Sequence, residues 1–298
     1  MMRCLRGIRV RARDIVWLLV ATALMGSSFA IGQMGLRYAP PLFLAGLRFT
    51  LAGALLAWFT RKRRPLASWM DRGRVLAIGL LQTAGVMGTI FVSLKTIPAG
   101  ESAILTFANP LFVVVGGSVL LRYRYRATQW GGVVAGFAGL AVAVGGGFVL
   151  TPGVSLALSS AVFWAAATLL MKRWQGFADL WVLNAYQMLA GGLALLASGM
   201  VLETPAFQWS VASAAILAWL VVMASIVQFG AWFYVLHHND PARVSAYLFL
   251  APVFGVLSGW LLLGQPIGWH VAAGALGIAV GIWLVNRAPS APPAAAAR

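Results

Sequence analysis

Residues 91–121 read FVSLKTIPAGESAILTFANPLFVVVGGSVLL, and residues 233–263 read FYVLHHNDPARVSAYLFLAPVFGVLSGWLLL. The second stretch lies 142 positions after the first and aligns with it without a gap. Nine of the 31 aligned positions are identical, among them Phe107/Phe249, Pro110/Pro252, Phe112/Phe254 and Gly117/Gly259. Each copy has an apolar run, a polar break and a second apolar run that carries a proline. The register continues through Gly132/Gly274 and Gly139/Gly281. Self-similarity at half the chain length constrains the architecture before any finer reading does. In an apolar chain it points to a carrier built from two repeats with a site between them.

The composition agrees. Of 298 residues, 61% are hydrophobic and 9% are charged, against roughly 25% charged in a soluble domain. Such a chain cannot cover a water-facing surface, so its partner is the lipid bilayer. The net charge of +16 sits in short clusters between apolar runs. That placement suits cytoplasmic loops on anionic headgroups and argues against nucleic acid. A single cysteine, Cys4, rules out an intramolecular disulfide.

Apolar runs long enough to cross a bilayer, about 20 residues each, occur at 14–36, 41–60, 74–95, 100–121, 128–149, 152–171, 179–201, 211–236, 241–263 and 267–286. The chain is therefore expected to be an all-α integral membrane protein of ten transmembrane helices. The opening, Arg3 to Arg13 followed by IVWLLVATALMGSSFA, resembles a signal peptide. The apolar run continues to Leu36, however, and reads as an uncleaved first helix. With the N-terminus inside, nineteen Lys and Arg fall in cytoplasmic segments and only Arg37 and Lys95 outside. The positive-inside rule thus places both termini in the cytoplasm of a multi-pass protein of the cell (inner) membrane.

This divides the chain into a basic N-terminus (1–13), a five-helix repeat (14–149), a second repeat (150–286) and a disordered tail (287–298). Five is odd, so the second repeat enters the membrane inverted. Two inverted copies can exchange conformations and so alternate access to a shared site.

Polar side chains inside apolar helices tend to face the bundle interior. The substrate-binding candidates are Ser28, Gln82, Asn109, Trp164, Gln187, Gln228 and Tyr247. The amides carry the most information, since a Ser or Thr can be satisfied by its own helix. Pro110 and Pro252 are expected mid-helix, each freeing the carbonyl four residues earlier, and are the candidate hinges. Arg48 is the one charge well inside a run, able to snorkel outward or to bind a carboxylate. The glycine-rich segments 131–147 and 274–281 put small residues on one helix face. They are assigned to scaffold packing or a dimer contact, which leaves a monomer or a homodimer. No P-loop, GxSxG or His/acid cluster at metal spacing is present, so neither an enzyme, a cofactor nor a metal site is expected. No Asp or Glu lies in mid-membrane, so strict proton coupling has no obvious carrier.

These residues resemble a known family. GSSFAIGQMGLRYAPPLFLAGLRF (26–49), LKTIPAGESAILTFANPLFVVVGG (94–117), VSLALSSAVFWAAATLLMKRW (154–174) and VLHHNDPARVSAYLFLAPVFGVLSGWLLLGQPI (235–267) are similar in kind and order to EamA-type members of the drug/metabolite transporter superfamily. The resemblance covers nearly the whole chain. It implies export of small metabolites, often amino acids, from a central cavity, with aromatic amino-acid exporters the nearest in character. The alternative substrates are amphipathic cations, taken out by proton-coupled efflux. Where the family often carries an acid after the fourth and ninth spans, this chain has Arg122-Tyr123 and Gly264-Gln265.

Overall fold

The computed structural model describes residues 12–63, 66, 68–120, 125–143, 150–174, 176–238 and 250–286. Tyr247, Arg243, Cys4, the tail 287–298, most of the basic N-terminus and the first part of the ninth run lie outside the described residues. All regular structure among the described residues is helical. Helices α1 (Ala12–Gly35) and α2 (Pro41–Thr60) are followed by α3 (Trp69–Ser93). Next come the pair α4 (Ala99–Thr106) and α5 (Asn109–Leu120), then α6 (Ala127–Ala143), α7 (Pro152–Arg173) and α8 (Leu180–Leu202). Helix α9 runs through Val211–Val221, Val222–Val227 and Gln228–His238, and α10 (Leu250–Leu263) and α11 (Trp269–Asn286) close the order.

Among the described residues, seven helical stretches are long and apolar enough to cross a membrane, and three further apolar helices are shorter. The 20 residues of α2 rise about 30 Å, the thickness of a hydrocarbon core. Large apolar side chains such as Trp58, Phe59, Val134, Val201 and Leu202 stand exposed on the outer faces. In water they would be an aggregation surface; facing lipid they need no cover.

Helix starts follow ordinary capping chemistry. Thr151 accepts from the Val154 amide with Pro152 at the first helical position, Asp179 accepts from Trp181 and Val182, and Ser210 and Ser213 cap each other reciprocally. The start of α2 has no cap of its own, because Pro40 precedes it. The Leu42 and Phe43 amides instead donate to the two carboxylate oxygens of Glu203, at 3.0 Å each, from the end of α8. Opposite ends of α2 and α8 therefore meet, and at the other end Arg63 pairs with Asp179 at 3.0 Å.

The α2–α8 seam is antiparallel and glycine-lined. Gly46 lies on Leu196, Gly53 on Leu189 and Gly199 on Phe43; a Cβ on Gly46 would fall 2.6 Å from the Leu196 nitrogen. Helices α6 and α11 pack the same way, Gly139 against Gly277 and Gly274 against Ala143. Gly132, Gly136 and Gly139 of the first glycine-rich segment are thus packed against Gly277 and Gly281 of the second within one chain. Without a hydrophobic drive between helices in lipid, such close backbone approach supplies the packing energy.

Two features depart from the expectation. The fourth run is not one helix: α4 ends at Thr106 and α5 begins at Asn109. Pro110 is therefore not mid-helix but second in α5, where its missing N–H removes no bond within that helix. Pro252 is the third residue of the described part of α10, and the residues that precede Leu250 lie outside the described ones. The second feature is a pair of wide π-helical turns, Gly79–Gly85 within α3 and Val222–Val227 within α9. They fall at corresponding places in the two halves.

Candidate functional site

A cavity of about 930 Å³ lies inside the bundle, lined by residues from both halves. Ser28 of α1, Gln82 of α3, Asn109 and Pro110 of α5, Trp164 of α7, Gln187 of α8, Gln228 of α9 and Pro252 of α10 all contribute to its wall. Their positions, scattered over 225 residues of sequence, are brought to one space. Tyr247 lies outside the described residues.

The polar members differ in what they can offer. The Ser28 hydroxyl donates to the Met25 carbonyl of its own helix at 2.7 Å, so only its lone pairs are left for a ligand. Asn109 and Gln228 make no side-chain hydrogen bond among the described residues. The Oε1 of Gln82 is buried without a partner. Gln187 is engaged on both sides: the Thr83 hydroxyl donates to its Oε1 at 2.7 Å, and its Nε2 donates to Asn184 Oδ1 at 3.0 Å. That chain ends at Asn184 Nδ2, which is buried and unpaired. A buried amide without a partner destabilises the empty site, and an incoming polar ligand removes that penalty.

Aromatic rings form an apolar wall. Phe107 packs edge-on to Trp164 at 5.5 Å and near Phe29 at 6.0 Å, and all three line the cavity. The Phe107 ring is placed there by the break between α4 and α5. Beneath it Thr106 and Ser160 share a hydrogen bond at 2.8 Å, both fully buried.

Arg48 also lines the cavity and is only 3% exposed. It does not snorkel. Its Nε donates to Ser225 Oγ at 3.1 Å and its Nη2 to the Ala224 carbonyl at 2.9 Å, both in the π turn of α9. The wide turn makes this possible: the Ser225 hydroxyl donates to the Leu220 carbonyl five residues back, leaving its lone pairs for Arg48. The guanidinium stacks over Phe49 at 4.5 Å. No Asp or Glu lines the cavity among the described residues. The sequence marked Arg48 as an isolated charge but gave no means of finding its seat. Asn184, an amide in the run 179–201, carries the same signal as Gln187 but is not among the candidates.

The lining runs out to Met171, Lys172 and Leu180 at the end of the bundle that carries the Arg63–Asp179 pair. At the opposite end a polar knot ties three elements. Gln265 Nε2 donates to Gln33 Oε1 at 2.7 Å, Gln33 Nε2 donates to the Leu94 carbonyl at 2.7 Å, and the Ala99 amide donates to Gln265 Oε1 at 3.1 Å. Gln265 occupies the place where an acid was expected from the family resemblance. An acid there would still accept from Ala99 but, once ionised, could not donate to Gln33.

Comparison with known proteins decides the family. The EamA-like transporter family matches twice, over residues 13–145 and 151–287. The chain belongs to the EamA-like transporter family. It is 30% identical over 294 residues to the uncharacterized transporter YvbV of Bacillus subtilis, covering 96% of this chain and 95% of that one. It is 29% identical over 250 residues to the uncharacterized inner membrane transporter YedA of Escherichia coli K12, covering 81% and 80%. It is also 26% identical over 281 residues to a protein of Salmonella typhimurium named "Probable amino-acid metabolite efflux pump", covering 89% and 92%. One crystal structure shares the fold at a TM-score of 0.66 and 22% identity, covering 94% of this chain and all of that one. This EamA-family chain is thus a multi-pass membrane transporter acting on small molecules.

Proposed function

We propose that this EamA-family transporter exports neutral and aromatic amino acids and similar small metabolites by alternating access. In this reading it crosses the cell (inner) membrane ten times, as two inverted five-helix units over 14–149 and 150–286, with both termini in the cytoplasm. Ser28, Gln82, Asn109, Trp164, Gln187, Gln228 and Tyr247 bind the substrate, and Pro110 and Pro252 act as hinges. Within the family we place its character nearest to that of the aromatic amino-acid exporter YddG.

The single observation that carries the reading is the 930 Å³ cavity lined from both halves, with unpaired amides and aromatic rings in the same wall. Such a space suits a small zwitterion with an apolar side chain. Antiparallel packing of α2 on α8 and of α6 on α11 supports the inverted arrangement. Efflux of lipophilic cations such as viologens fares worse. The cavity wall holds a guanidinium and, among the described residues, no carboxylate to balance a second cation.

Proteoliposomes test this directly. Purified protein should drive uptake of labelled Phe, Trp, Met or Thr down a gradient, with and without a pH difference. No flux for any amino acid would end the amino-acid assignment. Trp164→Ala removes a wall contact worth about 1 kcal/mol and should weaken half-saturation by roughly fivefold with insertion unchanged. Reporter fusions after Thr151 and Arg298 should read opposite sides of the membrane, and agreement between them breaks the topology.

A further inference from the structure

We infer that Arg48 is the carboxylate-binding group of the cavity, so that the transporter selects substrates carrying a free carboxylate. The inference deepens the amino-acid reading and rests on it only for what happens after binding.

A guanidinium presents two forks to planar acceptors. One is the side edge, Nε with Nη2; the other is the end edge, Nη1 with Nη2. In Arg48 the side edge is taken by the π turn of α9, through Ser225 Oγ and the Ala224 carbonyl. One ring face lies on Phe49. On the end edge Nη1 has no partner among the described residues, and Nη2 carries a second hydrogen beyond its bond to Ala224. Arg48 is thus held by neutral groups on its side edge, while Nη1 and the end of the guanidinium stay open to a carboxylate.

The charge argues the same way. A buried cation in a membrane protein is expensive and is ordinarily paired. The ion pairs among the described residues join Arg63 to Asp179 and Arg74 to Asp71, and neither involves Arg48. Two neutral acceptors and the rings of Phe49 at 4.5 Å and Phe91 at 6.0 Å partly solvate the guanidinium, and no carboxylate among the described residues compensates its charge. A ligand carboxylate supplies the missing charge and fills the end fork. Its apolar portion then meets the ring wall of Phe29, Phe107 and Trp164 in the same cavity. Nothing in this arrangement demands an ammonium group, so a simple aromatic carboxylate should also bind.

The test is competition binding with purified full-length protein in chloride-free buffer. Tritiated phenylalanine is the probe, and phenylacetate, phenylalaninamide and phenethylamine are the competitors. A charge-assisted bidentate bond gives at least about tenfold preference. Phenylacetate should therefore compete well, and the amide and the amine should compete at least about tenfold more weakly. Arg48→Gln should lower phenylalanine affinity by a similar factor and level acid against amide, while Arg48→Lys should keep part of the preference. Equal competition by acid and amide overturns the inference, as does wild-type affinity in a folded Arg48→Gln protein or the absence of any phenylalanine binding. Should Arg48→Gln fail to fold, the wild-type competition alone decides. Phenylalanine flux without acid/amide discrimination removes the Arg48 role and leaves the carrier reading. Carboxylate binding without flux does the reverse.

Discussion

The π turns of α3 and α9 place hydroxyls at corresponding positions, Thr83 and Ser225, 142 residues apart. Each meets a polar side chain from the second helix of the other half, Gln187 in one case and Arg48 in the other. The seats are otherwise unlike. Helix α8 presses directly on the turn of α3: Gly191 abuts Gly79 and Thr83, and a Cβ on Gly79 would fall 2.6 Å from the Gln187 carbonyl oxygen. A short amide spans what little distance is left. Helix α2 reaches the turn of α9 with one of the longest side chains available. The hydrogen bond also reverses, since Thr83 donates outward to Gln187 whereas Ser225 donates to Leu220 and receives from Arg48. Ala224 of the α9 turn lines the cavity, and Arg48 does too. Gln187 lines the cavity too, so the seats differ in packing and charge rather than in access: one is closed by helix contact and neutral, the other reached by a long side chain and cationic. Asymmetry between like halves gives the cavity a charged end, which a strictly symmetric pair would lack.

The largest effect should come from forcing the closed seat apart. Gly191→Leu pushes a side chain into the backbone of α3 and should lower stability by about 3 kcal/mol, read as a lost melting transition or lost monodisperse protein. Survival of a normal melting temperature would mean the two helices are not locked. Gln187→Leu is milder. It strands the Thr83 hydroxyl and the Asn184 carbonyl and should remove about 2 kcal/mol. If the seats differ as described, Gln187→Leu leaves the preference for acid over amide intact. Loss of that preference in Gln187→Leu but not in Arg48→Gln would invert the comparison. Ser225→Ala removes one neutral acceptor from Arg48, about 1 kcal/mol. It should weaken carboxylate binding by roughly fivefold, less than loss of the guanidinium itself.

Much of the helix pattern was legible in the residues. The runs at 41–60 and 152–171 reappear as Pro41–Thr60 and Pro152–Arg173, because Pro-Pro and Thr-Pro mark their starts and apolar length does the rest. The polar candidates were found because an amide in an apolar run is a visible anomaly. Other features depended on contacts that no local pattern encodes. Gln33 and Gln265 meet across 232 positions, and nothing near either residue announces the other. A π turn is a one-residue widening of helix geometry. The echo of Thr83 in Ser225 was available in the register, but a hydroxyl at that place does not by itself reveal the wider turn. Arg48 stood out as a charge, yet whether it snorkelled or turned inward depended on Ser225 and Ala224, about 175 residues away. The sequence pattern reads as a mid-helix kink at Pro110, because a proline shows only that a carbonyl is freed, whereas the helix breaks at Phe107 and Ala108. Where the helix restarts depends on Phe107 and Ala108 turning under the aromatic wall.

That break supports the smallest prediction, which separates motion from binding. Pro110 opens α5 just after the turn at Phe107 and Ala108, and the Thr106 carbonyl cannot receive the bond that an ordinary residue at 110 would donate. Pro110→Ala restores that donor and allows the α4–α5 stretch to close toward one helix. A proline-to-alanine change of this kind is worth about 1 kcal/mol, enough for roughly a fivefold change in an exchange rate. Neither polar seat includes residue 110. Equilibrium affinity for phenylalanine, and its preference over the amide, should therefore stay at the wild-type level while counterflow slows. If the break is only a fixed bend, counterflow in Pro110→Ala will match wild type. If affinity falls along with the rate, the break belongs to the binding surface and is not a hinge separate from the two seats.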